Sequence, residues 1–298
     1  MIWVFAIQPT SRLASLACFF SVGAERVNDD DGTKTSYFLA PPDFSISHLP
    51  RPWSNNDISL SDYGLWYACK ESRLVIGKHA RRTYPLDPLY RYESIGTRFV
   101  RVNGRDAAIP FFRQRDLTCL QVPPSLKIHN VQQARRQLGC APNIYGMWEP
   151  YAFEYDASWA FDPARDTISE MEKLPGPRGL FLNLLRLMPD ENQQDYDRFW
   201  GNLYLIQYGA TLKSDACVCR DRSPFNGNGY RFREARREDV EEYYNMEMNA
   251  WEFLDATISR MKPKRWIFRG GVGVLVCDAS TITRCWGRSR VFLCDLSE

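Results

Sequence analysis

The sequence predicts an α+β protein, with a mixed or mainly antiparallel sheet flanked by a few helices in one compact unit over residues 1–298. Short apolar runs with the two-residue repeat of strands recur along the chain, and only a few segments have helical periodicity. These elements do not alternate as repeated βαβ units would. With 298 residues, of which 44% are apolar, the chain has enough material for a large core.

The clearest strand signal surrounds an Asn-Gly pair. Residues 99–102, Asn103-Gly104 and residues 107–112 predict a β-hairpin, because Asn-Gly readily adopts the positive φ angles of a two-residue turn. By contrast, residues 24–62 are polar and rich in proline, which predicts an irregular surface segment. The other predicted strands are residues 117–122, 151–156, 203–208, 230–233 and 273–278.

Alternation within one of these strands predicts its burial. In residues 151–156, aromatic side chains alternate with small or acidic ones, which is typical of a strand with a single buried face. Helical periodicity marks residues 65–82, 132–138, 177–188 and 237–258. Ser61 is a plausible cap for the first of these helices, and Pro177 suits the first position of the third.

The charge is nearly balanced overall, at +2, but it is unevenly distributed. Residues 70–106 contain nine Lys or Arg and four acids, whereas residues 149–198 contain eleven acids and five bases. We expect the two regions to face each other in the fold, with steering of a dipolar partner as the alternative. The small net charge does not require nucleic acid or a membrane as a partner.

Nine cysteines at irregular spacing, most of them inside apolar runs, predict free thiols in a reducing compartment rather than a disulfide scaffold. The apolar residues 1–7 precede the first charge, which is the wrong order for a secretory signal. No stretch approaches the roughly 20 apolar residues of a membrane span. We therefore expect a location in the cytoplasm or nucleus and no membrane partner.

Part of the first half has a recognisable motif. The segment Ala68-Cys69-Lys70-Glu71-Ser72-Arg73, preceded by Trp66, resembles the second motif of the two-EXR domain family, which is found mainly in filamentous fungi and named for twin Glu-x-Arg triplets. Residues 116–121, 153–159, 226–229 and 272–275 are also similar to members of this family. The resemblance divides the chain into a two-EXR-like region, about 1–125, and a continuing α+β region, about 126–298.

The family's first triplet lies in a helix of the form Leu-Pro-x-Glu-x-Arg-x-x-Ile-Trp. Residues 1–6 of this chain resemble only the end of that helix. The expectation is that Met1 is an internal methionine of a longer protein. In-frame genomic sequence upstream of Met1 would then encode the missing Glu and Arg.

The resemblance implies an interaction protein rather than an enzyme. The opening helix of the family is similar to an F-box, which docks a ubiquitin-ligase adaptor, and no catalytic residue is established for the family. The motif residues Trp66, Cys69, Glu71 and Arg73 therefore take structural roles, and we expect Arg73 to be buried beside a carboxylate or a backbone carbonyl. No cofactor is expected, and the partner is an unknown protein.

Nucleic-acid binding through the basic region 70–106 is the first alternative function. Arg81, Arg82 and Arg91 are interleaved with Tyr84, Tyr90 and Tyr92, as in proteins that bind single strands. Asp87 and Glu93 dilute that pattern, so a solvated loop is the favoured interpretation of it.

A carboxylate-based hydrolase is the second alternative. Glu149, Glu154 and Asp156 stand among aromatic residues, and the last two would lie about 6.6 Å apart on one face of an extended strand. Paired carboxyl groups about 5–9 Å apart can act as acid and base on a glycosidic bond. The competing interpretation is a half-buried strand that exposes ordinary acids to solvent.

Other chemistry finds less support in the sequence. Cys217 and Cys219 would supply two zinc ligands of the four that a structural site needs. Cys69 and His79 stand some 15 Å apart along a helix and cannot form a dyad there. The glycines of residues 226–229 and 270–273 lack the helix start of a phosphate loop. The remaining histidines, His48 and His129, stand in no catalytic motif.

Overall fold

The computed structural model describes residues 15–29, 32–42, 95–102, 104–112, 116–139, 149–188, 201–213, 224–227, 230–242, 248–261 and 271–278. These residues form twelve strands, four helices and two 3₁₀ turns. The strands are β1 (Ser15–Asp29), β2 (Gly32–Ala40), β3 (Ile95–Val102), β4 (Arg105–Phe112), β5 (Leu117–Gln121), β6 (Glu149–Glu154), β7 (Gly201–Gln207), β8 (Thr211–Leu212), β9 (Phe225–Gly227), β10 (Tyr230–Ala235), β11 (Val240–Glu242) and β12 (Val272–Asp278). The helices are α1 (Val131–Gln137), α2 (Ile168–Met171), α3 (Pro177–Arg186) and α4 (Ala250–Met261), and the 3₁₀ turns are Ala157–Trp159 and Arg237–Asp239.

Ten strands form one mixed sheet in the order β4-β3-β2-β1-β5-β6-β7-β12-β10-β9, and β8 pairs with β11 separately. The neighbours β1, β5, β6, β7 and β12 are parallel, and the other pairs, apart from β2–β3 and β1–β9, are antiparallel. The α+β class and the mixed sheet are thus confirmed. Because β9 also pairs with β1, seven strands close into a ring, which we call the barrel.

Side chains from all seven barrel strands fill the barrel interior. Rings meet across it: those of Phe19 and Phe232 lie 5.8 Å apart, and those of Tyr204 and Phe225 lie 6.2 Å apart. The last pair joins β7 and β9, which are not neighbours in the ring. The interior cluster consists of Ala17, Phe19, Leu117, Cys119, Ala152, Tyr204, Ile206, Phe225, Tyr230, Phe232 and Leu275.

The opposite face of the barrel packs against the helices. Phe153 of β6 meets Phe181 of α3 edge to face at 5.7 Å, and Phe253 of α4 contacts Trp159 at 5.5 Å. All four aromatic side chains are nearly or fully buried. This larger cluster therefore joins the sheet to α3 and α4, whose apolar stripes the 3.6-residue period had marked.

The sheet continues beyond the barrel as a second region, which we call the extension: β2, β3 and β4 together with residues 21–29 of β1. One face of the extension joins the helix-side core through Val22, Leu39 and Val100, each at most 2% exposed. Helix α1 also lies along β2. There Gln137 accepts a hydrogen bond from the Tyr37 backbone at 2.8 Å, and the Gln133 side chain donates to the Thr35 carbonyl at 2.8 Å.

Within residues 24–62, which their polarity predicted to be irregular, residues 24–29 and 32–40 instead belong to strands. β1 runs to Asp29 and β2 from Gly32, paired antiparallel from Asp29 opposite Gly32 to Ser21 opposite Ala40. Residues 24–28 and 32–34 are exposed, which explains the polar sequence. Residues 43–62 lie outside the described part of the chain.

The helix predicted over residues 237–258 is wrong in its first half. A 3₁₀ turn and β11 occupy residues 237–242, and α4 begins only at Ala250. Asn249 caps α4: its side chain accepts from the Glu252 backbone at 2.9 Å, and the Glu252 carboxylate accepts from the Asn249 backbone at 3.0 Å. This reciprocal box fixes the start of the helix.

The strand prediction for residues 151–156 is correct in type but wrong in burial. β6 spans Glu149–Glu154 and is buried on both faces, as expected for a strand flanked by parallel neighbours. The hairpin at Asn103-Gly104 is confirmed, with Val102 opposite Arg105 and a φ of 76° at Gly104. β5, β7, β10, β12, α1 and α3 match the remaining predictions, whereas residues 65–82 lie outside the described part.

Candidate functional site

The three acids proposed for hydrolysis do not converge. Glu149 and Glu154 point to opposite faces of β6, because Tyr151 and Phe153 pack on the helix side whereas Ala152 lies in the barrel interior. Asp156 lies beyond the end of β6 and caps a 3₁₀ turn, where its carboxylate accepts from the Ser158 backbone at 2.8 Å. The assumed common face for Glu154 and Asp156 is therefore wrong, since the strand ends between them.

Glu154 is not a solvent-facing acid either. It is 8% exposed and accepts a hydrogen bond from the Tyr208 hydroxyl at 3.0 Å. Burial, followed by the charge of Glu154, raises the pKa of Tyr208 well above its ordinary value, so the hydroxyl keeps its proton and donates. Burial also raises the pKa of the Cys119 thiol well above its ordinary value, which keeps it from acting as a thiolate nucleophile.

Glu149 belongs to a buried network that holds the extension against the barrel. Arg98 of β3, only 6% exposed, donates to the Glu149 carboxylate at 2.8 Å, to the Tyr151 hydroxyl at 2.9 Å and to the Leu138 carbonyl at 3.2 Å. The Tyr151 hydroxyl also lies 2.6 Å from Glu149. This ion pair joins Arg98 of the basic region 70–106 to Glu149 of the acidic region 149–198; residues 70–94 lie outside the described part, so the facing of the two regions stays a prediction for them.

The second face of the extension, which we call the extension face, is turned to solvent. Phe99 of β3 is 65% exposed, and Val27 of β1 is 41% exposed. Register places Phe38 beside Phe99, because β2 and β3 pair in parallel with Leu39 opposite Val100. The Phe38 ring lies across Gly23, where a Cβ atom would approach ring carbons to 2.3 Å, so only glycine lets this ring lie flat on β1.

Arg101 organises the charges on this face. Its guanidinium lies 4.3 Å from the centre of the Phe38 ring, forms an ion pair with Glu25 and contacts the Asp106 carboxylate at 3.2 Å. Its hydrogen bonds to the carboxylates of Glu25 and then Asp106 raise the pKa of Arg101 above its ordinary value. The side chains of Glu25 and Asp106 are 43% and 57% exposed, against 23% for Arg101. The face therefore presents an aromatic ring bordered by carboxylates.

The outer edge of the extension is less suited than its face to contact with another chain. In the described part of the chain, no strand pairs with the outer edge of β4. A two-residue hairpin makes the Val102–Arg105 pair hydrogen-bonded, so the alternating pairs place the Pro110 nitrogen on the outer edge. Proline has no N–H there, and edge prolines discourage the addition of a further strand. Contacts of this region are thus made mainly by side chains.

The basic region offers few accessible cations among its described residues. Arg98 and Arg101 are both bound to carboxylates, and Arg105 is exposed at the hairpin end. The interleaved bases and tyrosines between residues 81 and 92 lie outside the described residues, so the nucleic-acid hypothesis stays a prediction for them.

Some of the other residues that the sequence suggested for chemistry lie outside the described residues, and the rest form no site. Cys217, Cys219, His48 and His79 lie outside the described residues, as do Trp66, Cys69, Glu71 and Arg73 of the family motif, including the predicted burial of Arg73. Cys18, Cys119 and Cys277 are in no disulfide among the described residues, and within the same ranges no group of three or more His, Cys, Asp or Glu could hold a metal ion.

Two glycine segments are parts of strands. Residues 225–227 form β9, and Gly273 lies inside β12, where a Cβ atom would stand 2.9 Å from the Glu234 carboxylate. Gly271 precedes the strand and donates its N–H to the Asn202 side chain at 2.8 Å. Gly273 therefore faces a carboxylate, which is the opposite of a phosphate cradle. His129 donates its backbone N–H to the Tyr37 hydroxyl at 3.0 Å.

Sequence reasoning did not identify Arg98 or Phe99 as notable residues. Alternation along residues 98–102 places Arg98 with two valines and Phe99 with Arg101, so neither face of the strand is clearly apolar. Only the long-range partners of Arg98 reveal which face is buried. None of the described helices is both long and apolar enough to cross a membrane. No family model, curated protein or solved structure matches the chain.

Proposed function

We propose that this chain is a non-catalytic protein-interaction module that contacts its partner through the extension face. The observation that carries the proposal is the exposure of Phe99, at 65%, in the middle of a sheet face bordered by charges. Aromatic and arginine side chains are enriched in protein interfaces, and a buried aromatic anchor often supplies much of the binding free energy.

The rigidity of this face also supports the proposal. Arg98 attaches β3 to β6 through the buried ion pair with Glu149, and Arg101 fixes the ring of Phe38. A surface that is already ordered loses less conformational entropy on binding than a mobile one. The separation of Glu149 from Glu154 on opposite faces of β6 supports a non-catalytic role over the carboxylate hydrolase.

The test compares two exposed apolar side chains. Phe99→Ser alters the extension face, whereas Leu174→Ser alters a residue of similar character, 43% exposed, between α2 and α3. Proteins retained by the immobilised chain from an extract of its source cells would be quantified by mass spectrometry. We expect specific retention to be lost with Phe99→Ser and kept with Leu174→Ser. Equal retention by both variants would exclude the extension face as the interface.

A further inference from the structure

We infer that the partner presents a basic segment in which lysine or arginine accompanies an apolar side chain. This inference rests on the proposed function and specifies the chemistry of the partner. The apolar side chain covers Phe99, and the cation contacts the carboxylates of Glu25 and Asp106.

Among the described residues, the exposed charges in contact with Arg101 beside Phe99 are the carboxylates of Glu25 and Asp106, and the exposed Lys34 lies farther along the same face, opposite Val27. Arg101 already donates to both carboxylates and lies over the Phe38 ring, so its guanidinium is engaged within the chain. An ionised carboxylate has about four lone-pair positions, and the described contact of Asp106 with the Nε of Arg101 occupies one of them. The two acids are also about twice as exposed as Arg101, at 43% and 57% against 23%. An approaching group therefore meets carboxylate oxygens first, which favours a cation.

The spacing on β3 indicates how the partner residues are arranged. Phe99 and Arg101, the centre of the carboxylate pair, are two residues apart and on one face, which is about 6.6 Å along an extended strand. A partner segment in extended conformation has the same repeat, so a basic and an apolar residue at positions i and i+2 match both features. Pro110 limits backbone pairing at the edge, so side chains supply the recognition.

The experiment uses three fluorescent decapeptides, with alternating Lys-Val, Glu-Val and Ser-Val sequences, as probes of the whole chain. Binding is measured by fluorescence polarisation at 50 and 150 mM salt. We expect only the Lys-Val peptide to bind, with an affinity that falls as salt is added. The double substitution Glu25→Gln with Asp106→Asn should weaken binding about tenfold, and Phe99→Ser should weaken it similarly, whereas Leu174→Ser should not.

Several outcomes would overturn the inference. One is equal binding of the Glu-Val peptide, and another is a change of less than about twofold in the double variant while its thermal unfolding midpoint is unchanged. No binding of any peptide would have the same consequence. A dimer in sedimentation that Phe99→Ser dissociates would assign the face to a second copy instead. If the peptides give one of these results but Phe99→Ser still abolishes retention of proteins from extracts, only the basic class of partner is rejected. If it does not, the proposed function fails as well.

Discussion

The barrel and the extension use the same sheet in two different ways. The central barrel strands β5, β6 and β7 bury both faces, and Phe232 of β10 and Phe153 of β6 are fully buried on opposite sides of the sheet. The extension buries one face and leaves Phe99 and the carboxylates of Glu25 and Asp106 in solvent on the other. Under the proposed function, the barrel supplies stability and the extension supplies the recognition surface.

The acidic side chains of the barrel and of the extension also differ in their partners. In the barrel, the Glu154 carboxylate accepts from Tyr208 inside the chain, and burial raises the pKa of that hydroxyl. In the extension, the carboxylates of Glu25 and Asp106 contact Arg101 and still face water. Internal pairing satisfies the first set, whereas the second set can form further bonds to a partner.

The largest expected effect comes from one substitution made in both regions. Phe232→Ala removes a fully buried ring from the barrel interior and should lower the free energy of unfolding by about 3–5 kcal/mol. Phe99→Ala removes a ring that is 65% exposed and should change that free energy by about 0.5 kcal/mol or less. Urea denaturation followed by tryptophan fluorescence measures both.

Phe232→Leu provides a milder barrel variant if the alanine variant does not fold, with an expected loss of about 1.5 kcal/mol. Similar losses for Phe99→Ala and Phe232→Leu would contradict the division, because they would place Phe99 in a packed environment. Unchanged stability with Phe99→Ala, combined with loss of partner retention, would support the division between a stabilising barrel and a binding extension.

A second prediction concerns the junction of the two regions. Arg98→Met leaves Glu149, whose side chain is 14% exposed, without its buried cation, and should cost about 3 kcal/mol of unfolding free energy. Arg101→Met breaks two ion pairs at the surface and should cost much less, since water solvates the carboxylates that remain. Denaturant titration of both variants under identical conditions measures this contrast.

A double variant tests whether the unpaired charge is the cause. Arg98→Met combined with Glu149→Gln removes both charges and should recover part of the lost stability. If Arg98→Met costs no more than Arg101→Met, the extension is not held by this ion pair.

Local sequence signals predicted much of the fold. Asn103-Gly104 predicted the hairpin because the two residues fix the turn themselves, and Pro177 predicted the start of α3. The mixed sheet of an α+β protein also followed from the pattern of short apolar runs. The start of α4 was missed, although Asn249 and Glu252 have the spacing of a capping box, because the helical period extended by chance to Val240.

Long-range pairing could not be predicted in the same way. The β1–β9 pair that closes the barrel joins Ser15 to Phe225, and no local propensity encodes such a partner. The same limit applies to the candidate site, since the burial of Arg98 depends on Glu149, 51 residues away. The exposure of Phe99 follows from that contact, because β3 must turn Arg98 inward. The polar part of β1 from residue 24 and the start of β2 have the sequence pattern of a loop, because water, rather than a core, surrounds them.

The smallest expected effect is a gain in stability from the core beneath the helices. The hydroxyl of Thr257 in α4 is fully buried and has no hydrogen-bond partner among the described residues, whereas the exposed Thr33 hydroxyl in the extension donates to the Asn28 side chain at 2.9 Å. Thr257→Val keeps the shape and removes the desolvated hydroxyl, so it should raise the unfolding free energy by about 1 kcal/mol. Thr33→Val should leave it unchanged or slightly lower, because water replaces the lost bond. Thermal unfolding of the two variants measures this difference. A lower unfolding midpoint with Thr257→Val would mean that the Thr257 hydroxyl forms a hydrogen bond, so that the core beneath the helices is not strictly apolar.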